Sequence, residues 1–431
     1  MKWIPSSYIS VIGSLSRLKR YINIKPQIEI VSVTDAYKRV LAEDIISKDD
    51  VPAYNKSHMD GYAIIAKDVV SASKANSVVL EVKKESKIRK FPNHKLQNGQ
   101  AYKISTGGYL PIGADTVIPI EDVNMSHDHV HDYCKLIRIE SSIPKGMFVY
   151  QAGSDLKAGE RILLKRKVLR AQDVGLLSSL RILKVSVFKK PRVAIIPTGS
   201  ELTDNLESTA PDKIPNSNSH VISRLIEEAG AVALNLGVTP DQVKKISSKI
   251  NYALKKHDII LTMAGSSVGE QDLVEAAVKS LGKPGMIIHG VKLDRGRVAG
   301  LASLKAKPII VLPGPIQGAV NACIVFAYPL IRFLSGRSGQ IGTTVIATLS
   351  ENWMARKRFS HFTKIVYIRL KKSGQAFQAK PIFGGTESMT VLSKANGYVI
   401  VSNKTTTIKR GEQIEVHLLP GFSYVNGQFL D

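Results

Sequence analysis

Asp258-Ile-Ile-Leu-Thr-Met-Ala-Gly-Ser-Ser-Val-Gly-Glu-Gln-Asp272 is the stretch from which the fold can be read. Ile259, Ile260 and Leu261 form a short apolar run, the pattern of a parallel strand buried on both faces. Small residues follow at Ala264, Gly265, Ser266, Ser267 and Gly269, and then two carboxylates, Glu270 and Asp272. From Leu273 onward, Val274, Ala277, Val278 and Leu281 recur at helical spacing, with Gly282 as a C-terminal stop. Strand, Gly/Ser loop and helix start together make an anion site, because the first amide hydrogens of a helix are unpaired and its dipole is positive there. A divalent cation held by the adjacent carboxylates would fit against a bound phosphate. No Gly-Lys-Ser/Thr follows, so the loop is not a Walker A loop, and it is not G-x-G-x-x-G.

Working outward, residues from Lys190 alternate strands and helices, the signature of a parallel α/β sheet. Arg192–Ile196 and Ala231–Leu236 read as strands, Lys307–Leu312 as a further one. Helices are expected from Asn216 through Ala229, over 242–256, and from Gln317 to Leu334. In such sheets the strand-to-helix loops lie at one carboxyl edge, so those at 197–201, 239–241, 263–272 and 313–317 should converge on a ligand.

The flanking regions have another texture. Residues 64–150 carry short strands (Val78–Val82, Gln100–Ser105, Thr116–Pro119, Lys135–Ile139), and after Gly342 four more predict a small barrel. Ile9, Ile12, Leu15 and Leu18 predict an amphipathic helix over 6–22, and Val33–Asp44 a second helix capped by Thr34. Arg170–Leu180 reads as helical and packs with the N-terminal helix, which makes the first domain discontinuous. Asp60 stands before Gly61 on a loop entering a strand, where a turn-forming role competes with a catalytic one. Thr106 brings a hydroxyl to a second Gly-rich loop. His127, His129 and His131 alternate onto one face if extended, a metal-site pattern set against a polar hairpin that merely collects histidines.

Lys and Arg number 60 against 36 Asp and Glu in 431 residues, a net charge of +24. That field favours anionic partners. The basic residues are dispersed, which reads as a solvated surface rather than a dedicated nucleic-acid site. No apolar run approaches the roughly 20 residues that span a bilayer, so no membrane partner is expected. The first residues, Met1–Ser7, lack a signal-peptide core, and two cysteines are too few for a disulfide framework. A cytoplasmic location is expected.

Taken together the segments resemble the molybdopterin molybdenumtransferase family, the MoeA proteins related to the C-terminal part of gephyrin. The resemblance runs through Ala42-Glu43-Asp44, Ser57-His-Met-Asp60-Gly-Tyr-Ala63, Thr106-Gly107, Pro111–Asp115, Glu121-Asp122, Gly153-Ser-Asp155, Pro197–Leu202, Ser266–Asp272, Leu312-Pro-Gly314 and Ala395-Asn-Gly397. It implies an elongated α/β multidomain homodimer. Its parts would be a discontinuous helical domain (1–45 with 146–185), an inserted β-rich domain (46–145), a MogA-like parallel-sheet domain (186–337) and a small C-terminal β-barrel (338–431). It also implies a reaction in which adenylylated molybdopterin and molybdate are the substrates, AMP is released and Mg²⁺ or a similar divalent cation assists. Contact with the molybdopterin adenylyltransferase is a further expectation.

Carried over by position, Asp60, Glu201 and Asp272 are the expected catalytic residues, with Glu201 and Asp272 also at the metal. Thr106, Asp155, Asp241, Gly265, Ser267, Arg297, Gly314 and Thr386 are the expected substrate contacts. Several positions depart from the family. Asp294-Arg-Gly-Arg297-Val stands where a cation and then Pro-Gly-Lys-Pro are usual, and Pro313-Gly-Pro-Ile-Gln-Gly318 replaces Pro-Gly-Asn-Pro-Val-Ser. Met263-Ala-Gly265 replaces Thr/Ser-Gly-Gly, Thr386 a serine and Lys364 an arginine. Arginine and lysine differ in geometry, so these changes keep open a pterin-binding scaffold without turnover or a tungstate-inserting homologue. A nucleic-acid binder and an adenylyl-transfer enzyme are the remaining alternatives, the latter opposed by the additional β-rich and barrel segments.

Overall fold

The computed structural model describes residues 8–85, 95–126, 135–263, 273–337, 343–374, 376–419, 423–425 and 428–430. The chain divides into two compact units, Met1–Ala42 with Arg166–Asp431, and Glu43–Lys165.

The centre of the first unit is a six-stranded sheet. Its order is Val232–Asn235, Arg192–Pro197, Ile259–Met263, Lys307–Leu312, Gly300–Leu304 and Gly285–His289. The first four strands are parallel, and the last two each run antiparallel to the strand before. All residues of Ile259–Met263 are buried, as a central strand covered on both faces must be. Alternation along the strands sends side chains to two cores. Val193, Ile195, Ile259 and Leu261 pack with Ile222 and Ile226 of the helix Ser217–Glu228 and with Ala319 and Val320. Ala194, Ile196 and Ile260 pack with Ile246 and Ile250 of Val243–Lys256 and with Val274 and Ala277 of Leu273–Ser280. This is the α/β arrangement expected from the opening stretch.

The predicted helix Gln317–Leu334 is broken into Ile316–Ala322, a π-turn over Cys323–Ala327, and Tyr328–Leu334. Pro329 explains the break: it has no N–H to give to the preceding turn, and the wider π spacing absorbs the loss. Contrary to the sequence expectation, Ile316–Leu334 is long and apolar enough to cross a membrane by length and composition. It packs internally, with 83% of its most apolar 18-residue window buried inside the protein.

Two further expectations are corrected. The N-terminal helix is Val11–Lys19, capped by Ser10, whose hydroxyl accepts from the Gly13 amide at 3.1 Å. Its buried face is Val11, Ser14 and Leu18, while Ile12 is 78% exposed. A spacing of three drifts by about 60° per step on a 3.6-residue helix, so Ile12, Leu15 and Leu18 do not share one face. The second helix is only a 3₁₀ turn, Val33–Asp35. Beyond it, Val40 bridges Val168 and Leu41 bridges Val187, so tertiary pairing overrides the local helical pattern. The strand Ile28–Ser32 pairs antiparallel with Lys184–Phe188.

At the C-terminal end, Thr344–Leu349, Ala376–Pro381, Lys364–Ser373, Gly397–Val401 and Gln413–Leu418 close into the expected barrel. Ala347, Ile368, Val399 and Val416 fill it.

The second unit is built on a six-stranded sheet ordered Thr116–Pro119, Gly61–Ile64, Gln100–Ile104, Val78–Glu85, Lys135–Ile139 and Val123–Ser126. Gly61 is obligatory there: a Cβ would lie 1.9 Å from the Ile118 carbonyl oxygen on the paired strand. His127, His129 and His131 lie outside the described residues.

Asp173 fastens the helix Ala171–Ser179 to the segment before it. The residue is 3% exposed. It accepts from the Lys167 ammonium at 2.9 Å, from the Arg170 side chain at 3.2 Å and from the Arg170 amide at 2.9 Å. Burial alone would raise its pKa, but these donors outweigh it and hold the carboxyl at about 2. A folded pKa below the unfolded value stabilises the fold above about pH 4 and loses that contribution as pH falls toward 2. Asp173→Asn should therefore cost about 2 kcal/mol at neutral pH. Denaturant unfolding followed from pH 7 to pH 2 should show the gap between variant and wild type closing on the acid side.

Candidate active site

The carboxyl edge of the sheet gathers the turns after Pro197, Asn235 and Leu312. The Thr198 amide donates to the Met263 carbonyl at 2.8 Å, and the Gly199 amide to Thr239 O at 3.1 Å. These bonds lock the Thr198–Glu201 turn against the neighbouring strand ends. Lys213 Nζ donates to Ser200 O at 2.8 Å, and the Ile214 amide donates to Glu201 O at 2.8 Å. Glu201 itself is exposed, with its carboxylate folded back over Gly199. A Cβ on residue 199 would meet Glu201 Oε1 at 2.8 Å, so a side chain there would push the exposed carboxylate aside.

Asp241 faces this turn from the adjacent loop. Its Oδ2 accepts from the Ser200 amide at 3.1 Å, and its own amide donates to Ser200 Oγ at 3.1 Å. That reciprocal pair gives Asp241 a positioning part in the Ser200–Glu201 turn. Gly314 O accepts from Asn218 Nδ2 at 2.8 Å, tying the Pro313–Pro315 turn to the start of Ser217–Glu228.

The 290–299 loop joins the last two strands and lies at the same edge, because Gly285–His289 runs parallel to Lys307–Leu312. Arg295 sits on it with φ of 52°. Its guanidinium donates to Gln317 Oε1 and, at 2.6 Å, to Gly384 O. Burial, then the nearby Arg356 charge, lowers its pKa from the ordinary guanidinium value. Gln317 has no exposed surface. Its Nε2 donates to Gly385 O at 2.6 Å and Ser388 O at 3.2 Å, and its backbone amide donates to Thr386 O at 3.1 Å. The Thr386 loop of the barrel is thereby fastened to the sheet edge.

Beside this clamp, Phe359 is surrounded by guanidinium groups. Arg356 lies 4.9 Å, Arg297 5.4 Å and Arg358 5.7 Å from its ring centroid. Asp294 pairs with Arg356. Among the described residues no carboxylate is paired with Arg297 or Arg358. Lys364 does not face this group: it is 2% exposed and donates to Ser360 O at 2.6 Å and Thr405 O at 2.9 Å. It holds the 357–360 turn in place from beneath.

In the second unit, Asp60 and Thr106 meet. Asp60 Oδ1 accepts from the Thr106 amide at 2.7 Å and from its hydroxyl at 3.2 Å. Asp155 is exposed in that unit, and its backbone amide donates to Val51 O at 2.9 Å. Gly265, Ser267 and Asp272 lie outside the described residues.

These edge turns belong to a chain whose three segments match family models. Residues 9–180 match the "MoeA N-terminal region (domain I and II)", residues 194–332 the "Probable molybdopterin binding domain", and residues 347–419 the "MoeA C-terminal region (domain IV)". A relative from Nostoc sp., named molybdopterin molybdenumtransferase, is 31% identical over 311 residues, covering 72% of this chain and 70% of that protein. The chain belongs to the MoeA family. A molybdopterin molybdenumtransferase of Staphylococcus epidermidis is 27% identical over 96% of this chain and 97% of its own length. The crystal structure of a MoeA protein of molybdopterin biosynthesis from Pyrococcus horikoshii superposes with a TM-score of 0.82 at 29% identity, covering 96% of this chain and 99% of that one.

The motifs point to Glu201, Asp60 and Thr106, and Arg295 stands out beside Asp294 as a substitute for the missing cation, but no motif singles out Gln317 or the Arg356–Phe359 group. A glutamine inside an otherwise apolar helix start was the available signal for Gln317, since a buried amide needs all its partners. Gln317→Leu removes one acceptor from the Arg295 guanidinium and the side-chain donor from Gly385 O and Ser388 O. It should lower stability by about 1–3 kcal/mol, and hydrogen exchange should speed up over residues 384–388.

Proposed function

We propose that this MoeA-family chain inserts molybdenum into molybdopterin. It takes adenylylated molybdopterin and molybdate, splits the phosphoanhydride, releases AMP and leaves molybdenum on the dithiolene. The observation that carries this reading is the concentration of anion-binding groups at one sheet edge. Constrained turns at Thr198–Glu201 and Pro313–Pro315 sit with a loop whose Arg297 joins Arg356 and Arg358 around Phe359. Three guanidiniums against one carboxylate make a positive surface suited to a tetrahedral oxyanion. The relatives' name, molybdopterin molybdenumtransferase, supports the same substrate class.

Mg²⁺ is a hard cation that usually takes one or two carboxylates beside substrate phosphates. The exposed Glu201 carboxylate is such a donor, and Asp272 is the second that the family position suggests. Those two residues would hold the ion, which when bound offsets charge on the phosphoanhydride oxygens. Asp241 keeps the Glu201 turn in register through Ser200. In the second unit, Asp60 orients the Thr106 hydroxyl and amide as a substrate-facing pair.

With Mg²⁺, adenylylated molybdopterin and molybdate, the wild type should release AMP, and Glu201→Gln should slow the release on the order of 10²-fold. Absence of AMP release from well-folded protein would remove the reading. The pairing of Asp294 with Arg356, where the family carries a cation, favours one second reading, a pterin-binding scaffold without turnover. That alternative requires pterin binding with no molybdate-dependent AMP release, and substituting tungstate in the assay tests the remaining variant.

The reading includes a homodimer, a cytoplasmic location and contact with the adenylyltransferase that supplies the substrate. Ile28 and Ile30, 59% and 70% exposed on one side of the strand Ile28–Ser32, support self-association. Ile30→Glu should shift the sedimenting mass from dimer to monomer without changing the melting temperature of the monomeric unit by more than a few degrees.

A further inference from the structure

The second unit carries an exposed aromatic face that the proposed reaction leaves without a role. On the short strand Lys56–Ser57, Ser57 points inward with no exposed surface. Tyr54 and His58, on either side of the strand, are exposed, and Lys56 is half-buried. Tyr150 lies opposite Lys56 on one side in the antiparallel pair with Val149–Tyr150, and Tyr109 lies opposite it on the other. Directly opposed residues share a face of a sheet, and ring contacts join Tyr54 and His58 to these three in one surface. Tyr54 meets Tyr109 edge to face at 5.6 Å, the Lys56 ammonium stands 5.3 Å from the Tyr109 ring, and His58 packs on Tyr150. Tyr54 and Tyr150 remain 51% and 49% exposed.

We propose that this face is a stacking site for a heteroaromatic ring that carries a phosphate group. The tyrosine rings offer flat π surfaces of the kind on which nucleobases and similar heterocycles stack. Lys56 supplies a point charge for phosphate at their centre, and among the described residues no carboxylate is paired with it. The face adjoins the Asp60–Thr106 pair, because Ser57 exchanges backbone bonds with Gly107 and Gly108 at 2.8 and 2.9 Å. The source of the ring rests on the function proposed above: it is either the pterin or the adenine of the adenylylated substrate. Both share the chemistry that this surface recognises.

The test titrates the full-length protein separately with AMP and with a pterin monophosphate, using calorimetry. At least one probe should bind, and Tyr109→Leu and Tyr150→Ser should each weaken it about tenfold. Lys56→Gln should weaken the phosphorylated probe and leave the corresponding nucleoside or free pterin unchanged. Tyr150 is half exposed, so Tyr150→Ser keeps the test valid should Tyr109→Leu disturb folding, and melting curves check both. Binding that is equal in all variants, or no binding of either probe to wild type, overturns the proposal. Tighter binding of a single-stranded oligonucleotide than of AMP also overturns it, in favour of a nucleic-acid surface. A wild type that binds a probe on these tyrosines yet releases no AMP removes the transferase reading and leaves this site standing. Intact AMP release with unchanged KM and unchanged probe binding in the tyrosine variants removes this site alone.

Discussion

A glutamine side chain sealed away from water governs how the first unit holds together at its working edge. Gln317 can be buried only because every one of its polar groups is spoken for: Arg295 gives to its carbonyl, while its amide gives to Gly385 O and Ser388 O. A buried amide with one partner missing costs more than the bond it lost. The three partners come from a sheet-edge loop and a barrel loop, so the energetic demand of one residue fixes two segments that are far apart in sequence. Asn321, one turn along the same helix, repeats the device. It donates to Asp294 O and Arg295 O at 3.3 Å and accepts from the Tyr367 hydroxyl at 2.7 Å.

Charge is handled in two ways around that clamp. Lys364 is sunk beneath the surface, its ammonium neutralised in effect by carbonyl dipoles, and burial lowers its pKa. Arg297, Arg356 and Arg358 stay exposed on Phe359, where the ring face attracts cations and water still solvates them. The first arrangement builds the turn and the second presents charge on it. The chain's excess of basic residues is therefore locally put to use here, although most of it is dispersed.

The parallel sheet and the barrel were legible because long buried strands leave continuous or alternating apolar runs, as Ile259–Leu261 and Gln413–Leu418 do. Val33–Asp44 misled because its helical spacing is weaker than the pairing of Val40 and Leu41 with distant strands. The π-turn before Tyr328 was written in Pro329, but hydropathy alone reads through it. Motif positions drew attention to Glu201 in the first unit and, separately, to Asp60 and Thr106 in the second, where the side chains meet. Asp241 was legible as an acid and not as the partner of the Ser200 amide, because that pairing depends on two loops meeting across adjacent strands. Gln317, and the structural part of Arg295, stayed hidden for the same reason, since their partners lie some 70 to 90 residues further along the chain.

The chain departs for the second unit after Ala42 and returns at Arg166. At that gateway the Arg166 amide donates to Leu41 O at 2.8 Å, and the Leu41 amide donates to Lys167 O at 3.0 Å. Outgoing and incoming backbones thus stand one strand spacing apart, about 5 Å, a gap that a tight turn bridges. The 43–165 segment is thus a detachable cassette in topological terms. It can lengthen, shrink or be exchanged over evolutionary time without stretching its host, and a shortcut joining the two sides of the gateway would leave the sheet-and-barrel body with its chain path intact.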